Sequence, residues 1–557
     1  MDPSPSLRFI IVGGVAAGAS AAARARRLSE SAAITLLERG PDVSFANCGL
    51  PYFIGEEIKQ RDALAVQTPQ TLKAMLNLEV RTSTEAVAVD RANKRVQIRA
   101  LGSGANEWLS YDKLLLAPGA VPLRPALPGI DDPRIFTLRS LQDMDRIKAA
   151  AAGARRVAVI GAGFIGLEMT EQFVRLGRQV TLVELLDQVL PPLDRPMTLF
   201  LEDELRRHGV ELILGDGIAG FDRAAGLNCR LQSGRIITAD LVVLSIGVRP
   251  DTALAREAGL ALGPRGHIRV NEFLQTSDPD IYAAGDAIEA ADLVTGDPVA
   301  VPLGGPANRQ GRLVADHVFT PRPARPFPGL LGTAIVRVFD VSAGLAGWSE
   351  KRLRTAGRKF RTVTVNDSQH SGYFPGAKPL ILKLLWDPDT GRVLGAQAAG
   401  LAGVDKRLDV LATAIAGGLT IDDLSGLELA YAPPFGAAKD IVNLAGFAAC
   451  NARDGLAAPV DALPDDPAVQ ILDVRPPALV QAHPVPHKGV VNIPLGALRG
   501  RLGELDRKRP VVTVCALGKT AYFAGRILAQ NGFQVASLNG GIRAHWDPRS
   551  PAKLPTP

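Results

Sequence analysis

The chain has 557 residues, 46% of them hydrophobic and 22% charged, with a net charge of +6. At ~100–200 residues per domain, this length predicts about three to five domains. The mild positive charge forms no dense Lys/Arg stripe interleaved with aromatics, so no nucleic-acid partner is expected; a diffuse positive field favours anionic small molecules. The four cysteines, Cys48, Cys229, Cys450 and Cys515, form no CxxC pair. Neither a zinc or other metal site nor a disulfide framework is expected, and sparse thiols fit a reducing compartment. No stretch is long and apolar enough to insert in a membrane, and residues 1–8 lack the apolar run of a signal peptide, so the expected location is cytoplasmic.

The first pattern is an apolar strand over 9–12, the turn Gly13-Gly14-Val15-Ala16-Ala17-Gly18, an Ala/Arg-rich helix to about residue 28, and a strand over 34–37 ending in Glu38. This βαβ order lets the backbone approach a pyrophosphate at a helix N-terminus, with Glu38 on ribose hydroxyls. Val15 stands at the third position of the GxGxxG pattern. Next comes Ser44-Phe45-Ala46-Asn47-Cys48-Gly49-Leu50-Pro51-Tyr52. Pro51 suits a helix start, and a helix N-terminus favours a thiolate at Cys48.

Alternation over 79–101 predicts β-hairpins, and residues 114–120 read as a strand ending at a nucleotide. A second βαβ unit opens at 156 with Gly161-Ala162-Gly163-Phe164-Ile165-Gly166 intact and Glu184 ending its second strand. That acid favours a 2′-hydroxyl over a 2′-phosphate, hence NADH over NADPH, although nearby Arg178 leaves NADPH possible. A strand over 241–247 and another ending in Gly285-Asp286 follow; Asp286 suits a ribityl chain. The proline-rich stretch 321–329 predicts a linker.

Beyond it, a mixed segment carries His370-Ser371-Gly372-Tyr373-Phe374 and Tyr431-Ala432-Pro433-Pro434-Phe435, with Lys439 following. Residues 451–467 mark a second boundary. The last segment has a strand ending in Asp473-Val474-Arg475 and another ending in Cys515, then Ala516-Leu517-Gly518-Lys519-Thr520-Ala521 and a helix. A cysteine there sits under converging backbone N–H groups that stabilise a thiolate or persulfide, with Lys519 beside it. The tail from Ser550 is expected to be disordered. Cys229 and Cys450 are expected to be structural.

Two dinucleotide units with a cysteine between them and a Gly-Asp strand after them resemble the FAD-dependent pyridine nucleotide–disulfide reductases. Within that group, SFANCGLPY and YAPPFGAAKD resemble the coenzyme A disulfide reductases, and DVR, VNIP and CALGKT resemble a rhodanese domain. The resemblance implies an α/β chain with a discontinuous Rossmann-like FAD domain (7–120 and 245–325), a Rossmann-like NAD domain (121–244), an α+β dimerisation domain (330–449) and a rhodanese-like α/β domain (460–549). It implies FAD on Gly13, Ala16, Ala17, Glu38 and Asp286, and NADH on Gly161, Gly163, Ile165, Gly166 and Glu184, with Asn47 and Gly247 among the cofactor-binding residues. Coenzyme A would lie along Ser20, Arg24, Arg27, Ser44, Asn47, Asn308, Arg309 and Lys439. Cys48 would be the redox nucleophile. Tyr373 and Tyr431 would reach the thiol from the partner of a homodimer.

Three positions depart from the family pattern. Lys73 and Met75 stand near a displaced basic residue, Thr520 replaces the usual arginine after the rhodanese cysteine, and His487 is shifted. Phe53 occupies the place of a second cysteine, so an external thiol must resolve Cys48. The activity implied is NADH-dependent reduction of a coenzyme A persulfide or polysulfide, with Cys515 delivering sulfane sulfur. The alternatives are reduction of coenzyme A disulfide beside an inert rhodanese domain; an NADH oxidase or peroxidase, against which Ala16 counts because those proteins carry histidine there; and a sulfur-binding or redox-sensing module without turnover, against which the NADH and FAD loops count.

Overall fold

The computed structural model describes residues 6–223, 226–320 and 325–545. The chain divides into two compact units, Met1–Leu185 with Gly215–Gly332, and Leu186–Leu214 with Thr333–Pro557. The tail from Ser550, residues 546–549 of the last expected domain and the opening of the 321–329 linker lie outside the described residues.

In the first unit the apolar strand Arg8–Val12 lies between Ala33–Leu37 and Lys113–Leu116, parallel to both. Ile281–Ala283 and Glu79–Arg81 complete the sheet, also parallel. Continuous apolar runs suit strands covered on both faces. Helix Ala17–Leu28 covers one face through Ala21, Ala22 and Ala25, none of which is exposed. Its small residues let helix Gly304–Phe319 cross closely: a Cβ at Gly311 would lie 2.0 Å from the Ala17 carbonyl oxygen. Only Thr84–Asp90, Arg95–Ala100 and Asn106–Ser110 form the antiparallel ladder expected after residue 79. Glu79–Arg81 joins the parallel sheet instead, anchored by the fully buried Leu78. A second parallel sheet sets Arg156–Ile160 between Gln179–Glu184 and Leu241–Leu244, with Ile135–Phe136 beyond.

The second unit holds a five-stranded antiparallel sheet in the order Ala334–Val338, Val341–Gly347, Val393–Gly400, Pro379–Trp386, Arg361–Ser368. It also holds a parallel sheet whose central strand, Val511–Val514, lies between Gln470–Asp473 and Val535–Leu538. Asn451 lies inside helix Ile441–Arg453, so the boundary expected at 451 begins after that helix. Leu186–Leu214, expected within the NAD domain, groups with this second unit. Part of the tie is polar: the buried Asp194 carboxylate accepts from Gln397 Nε2 at 2.7 Å and pairs with Lys383 Nζ at 3.0 Å. Among the described residues no helix is long and apolar enough to cross a membrane.

Candidate functional site

Both glycine loops use one device. The Gly13 φ is +98° and the Gly161 φ is +100°, values that L side chains rarely adopt. A Cβ at Gly18 would lie 1.8 Å from the Gly13 carbonyl oxygen, and one at Gly166 1.9 Å from that of Gly161. The helix therefore starts hard against the strand end. Glu38 is tied down by N–H bonds from Gly14 (2.8 Å) and Gly40 (2.7 Å), and Glu184 by one from Ala162 (2.7 Å). A Cβ on Gly163 would meet nothing within 4 Å, and Ile165 is exposed, so the second loop is open to a ligand. Gly247 also has a positive φ, +113°. Arg178 reaches back to the Ala152 carbonyl.

These features fit two dinucleotides. Ser245 Oγ, beside Gly161, and Asn47 Oδ1, beside Cys48, are buried with no hydrogen-bond partner among the described residues. The Asp286 carboxyl is pushed up by burial, an effect that Arg139 opposes. Such groups are held at a cost unless a polar ligand meets them. Gln310, buried at the crossing of the two helices, accepts from the Gly285 N–H at 2.7 Å and so fixes the turn that carries Asp286.

Cys48 lies in the 3-10 turn Asn47–Gly49, before the five-residue helix Leu50–Ile54, and is exposed. Its thiol is pushed up, not down as the helix start predicted. Loss of surrounding water is the main cause, followed by the charges of Glu168 and Asp286. One short turn of dipole does not outweigh these. Glu168, on helix Phe164–Arg175, accepts from Tyr52 Oη at 3.1 Å. Neither Glu168 nor Tyr52 was anticipated as part of the site, although Glu168 follows the intact glycine loop by two residues. Phe53 is 8% exposed, and all four cysteines are free thiols. Cys229, with no exposure, has its thiol pushed up to about 12 by burial, which leaves it inert.

Of the expected coenzyme A residues, Ser20 and Asn308 meet, Ser20 Oγ donating to Asn308 Oδ1 at 2.5 Å. Arg24 is paired to Asp316 at 2.5 Å, so its charge is partly spent, whereas Arg27 and Arg309 are exposed. Ser44 adopts a φ of +50° and donates its N–H to the Gly14 carbonyl at 2.8 Å. This ties the Cys48 run to the first glycine loop. Lys73 donates to Asn77 Oδ1, and Met75 is exposed.

In the second unit Tyr373 and Tyr431 are exposed and their hydroxyls lie 3.1 Å apart. The hydrogen bond between the two hydroxyls lowers Tyr373 and raises Tyr431. Tyr431 also lines an open cleft of about 730 Å³ with Leu427, Leu429 and Asn443. Lys439 is exposed.

Cys515 is 2% exposed and directly follows strand Val511–Val514. Its sulfur accepts N–H bonds from Gly518 (3.1 Å) and Ala521 (3.2 Å), at the start of helix Lys519–Gln530. Lys519 and Thr520 are exposed. Nearby, Arg475 makes a buried pair with Asp473 at 2.6 Å and donates to the His483 carbonyl, bracing the strand beside Cys515. The ring nitrogens of His487 face the Lys488 and Pro464 carbonyls, at 2.7 and 2.9 Å.

Two dinucleotide folds in one unit, one of them followed directly by an exposed cysteine, define a nucleotide-dependent oxidoreductase. Residues 7–305 match the pyridine nucleotide-disulphide oxidoreductases, 333–440 the dimerisation domain of that family, and 456–547 the rhodanese-like domain. The chain belongs to the pyridine nucleotide-disulphide oxidoreductases, an FAD- and NAD(P)H-dependent family of enzymes, and carries a rhodanese-like domain. It is similar to the structure of reduced Bacillus anthracis CoADR-RHD (42% identity, TM-score 0.93, 98% of each chain covered). It is also similar to that of an NAD-dependent persulfide reductase from A. fulgidus (38%, TM-score 0.91, 97% of this chain and 100% of that one). The coenzyme A disulfide reductase of Staphylococcus haemolyticus is 34% identical over 445 residues, 79% of this chain and 99% of that protein.

Proposed function

We propose that the protein uses NADH to reduce a coenzyme A persulfide through Cys48, releasing sulfide, and that Cys515 supplies the sulfane sulfur. The observation that carries this reading is the lone, exposed sulfur of Cys48, with Phe53 rather than a cysteine five residues on. Such a thiol has no intramolecular partner, so the disulfide it forms must be with the substrate. The Cys48 thiolate attacks the inner sulfur of the coenzyme A persulfide. The S–S bond of the substrate breaks, hydrosulfide leaves, and a Cys48–coenzyme A disulfide forms. Bound FAD, reduced by NADH, would supply the electron pair that returns this disulfide to two thiols.

Gly13, Ala16, Ala17, Glu38, Asn47 and Asp286 would hold FAD, and Gly161, Gly163, Ile165, Gly166, Glu184 and Gly247 would hold NADH. Ser20, Arg24, Arg27, Ser44, Asn308, Arg309 and Lys439 would line the coenzyme A path. Tyr373 and Tyr431, delivered by the partner of a homodimer, would protonate the leaving sulfur; the hydrogen bond between their hydroxyls suits them to it. The relatives named for coenzyme A disulfide and persulfide reduction, and the rhodanese-like segment, support the same reading.

A second reading, reduction of coenzyme A disulfide with Cys515 idle, is separated by rates. NADH consumption on coenzyme A persulfide and on coenzyme A disulfide is compared in the wild type, Cys48→Ser and Cys515→Ser. The proposal expects sulfide release lost in Cys48→Ser with flavin retained. Turnover surviving that substitution would defeat it.

A further inference from the structure

The loop that cradles Cys515 is held by three successive carbonyls. Cys515 O accepts from the Ile542 N–H at 2.9 Å and Ala516 O from the Arg543 N–H at 3.1 Å, both bonds within the rhodanese-like segment. The third, Leu517 O, accepts from Asn366 Nδ2 at 3.3 Å. Asn366 belongs to Arg361–Ser368, the edge strand of the antiparallel sheet and no part of the rhodanese-like segment. The same amide nitrogen donates to the Gly540 carbonyl at 2.9 Å. Both neighbours are acceptors, so the nitrogen must face them, and this fixes the amide's orientation. Its Oδ1 is left buried and without a partner among the described residues, a cost that calls for a return elsewhere.

Leu517 O and the Gly518 N–H belong to one peptide unit. That unit is planar and trans, so fixing the direction of its carbonyl fixes the direction of its N–H. The Gly518 N–H is one of the two donors to the Cys515 sulfur. Gly518 has a φ of +89°, a conformation the loop does not hold by steric preference alone. We propose that Asn366 is a positioning residue for the Cys515 sulfur site, aligning the Leu517–Gly518 peptide so that its N–H points at the sulfur. The antiparallel domain thereby completes the anion cradle of its neighbour in the same unit. The strand is docked independently by the Thr364 N–H, which donates to Asn539 Oδ1 at 2.7 Å. Docking and alignment can therefore be separated by mutation.

The role rests on Cys515 acting as a sulfur carrier, and two measurements keep the two ideas apart. In full-length flavoprotein at one fixed pH, iodoacetamide alkylation of Cys515 is followed by mass spectrometry for the wild type, Asn366→Ala, Asn366→Asp and Asn539→Ala. Misalignment of one of the two N–H groups that bond the sulfur slows Asn366→Ala by about tenfold. Asn366→Asp has the same shape but sets a carboxylate against two carbonyls, so it falls at least as far; Asn539→Ala stays within about twofold. A packing role would instead leave the isosteric Asp variant near wild type, which would overturn the proposal. Unchanged or faster alkylation in Asn366→Ala, or an equal fall in Asn539→Ala, would overturn it as well. Separately, sulfur transfer from thiosulfate to cyanide is measured: kcat falls with KM nearly constant in the Asn366 variants. Absence of transfer in the wild type, with the alkylation pattern intact, defeats the carrier reading and leaves the alignment standing.

Discussion

Cys48 lies on a short 3-10 turn, exposed, with the charges of Glu168 and Asp286 bearing on it. Cys515 is buried at the end of a central strand and takes two backbone N–H bonds on its sulfur. The first environment disfavours the anion, chiefly through loss of surrounding water. The second is assembled from the chain's own peptide groups before any substrate arrives. One sulfur is accessible and waits for partners, while the other is preorganised and must wait for access.

The sharpest break of this contrast is to remove each sulfur in turn. Cys48→Ser should lower NADH-driven reduction by ~10³-fold or more while flavin absorbance survives, since the covalent route is gone. Cys515→Ser should leave reduction of externally supplied coenzyme A disulfide near wild type and abolish sulfur loading, read as a persulfide adduct by mass spectrometry.

A smaller effect comes from crowding the second cradle. Gly541 has a φ of +66°, and a Cβ there would lie 2.4 Å from the Gly518 nitrogen. Gly541→Ala should cost stability by about 1–3 kcal/mol in urea unfolding and slow sulfur loading by about 10–100-fold, with Cys48 chemistry spared.

Tyr431→Phe removes the partner that lowers Tyr373. A drop of roughly tenfold in kcat is expected if the pair protonates the leaving sulfur, with NADH binding unchanged by fluorescence titration.

The smallest shift sharpens the Cys48 side. Its thiol is raised, so the ascending limb of rate against pH should lie above that of an ordinary cysteine. Glu168→Gln removes one of the charges that, after the loss of surrounding water, raise it, so that limb should move to lower pH. The amide still accepts from Tyr52. A limb that moves upward, or stays, would show that Glu168 does not act on the sulfur.

Much of the site is written in local pattern. The turn at Gly13 and the turn at Gly161 are legible because a strand, a tight glycine turn and a terminal acid all fall within one short stretch, where backbone geometry dictates the residue type. Gly311 and Gln310 are not legible in this way. Gly311 matters only where helix Gly304–Phe319 crosses helix Ala17–Leu28, and Gln310 only where it meets the Gly285 N–H. The Cys48 prediction failed in direction for the same reason. The helix start is local and visible, whereas the packing that strips water from the thiol, and with it the charges of Glu168 and Asp286, comes from distant segments and outweighs it.

Sequence alone therefore determined the two dinucleotide folds, the order of domains, the solitary cysteine and the strand-end cysteine, because turns, periodicity and spacing act over a few residues. Tertiary structure decided which charges bear on Cys48, that Leu186–Leu214 groups with the second unit, and that Asn366 holds the Leu517 carbonyl. Those outcomes depend on side chains far apart in the chain meeting at hydrogen-bond distance, and no local pattern encodes such a meeting.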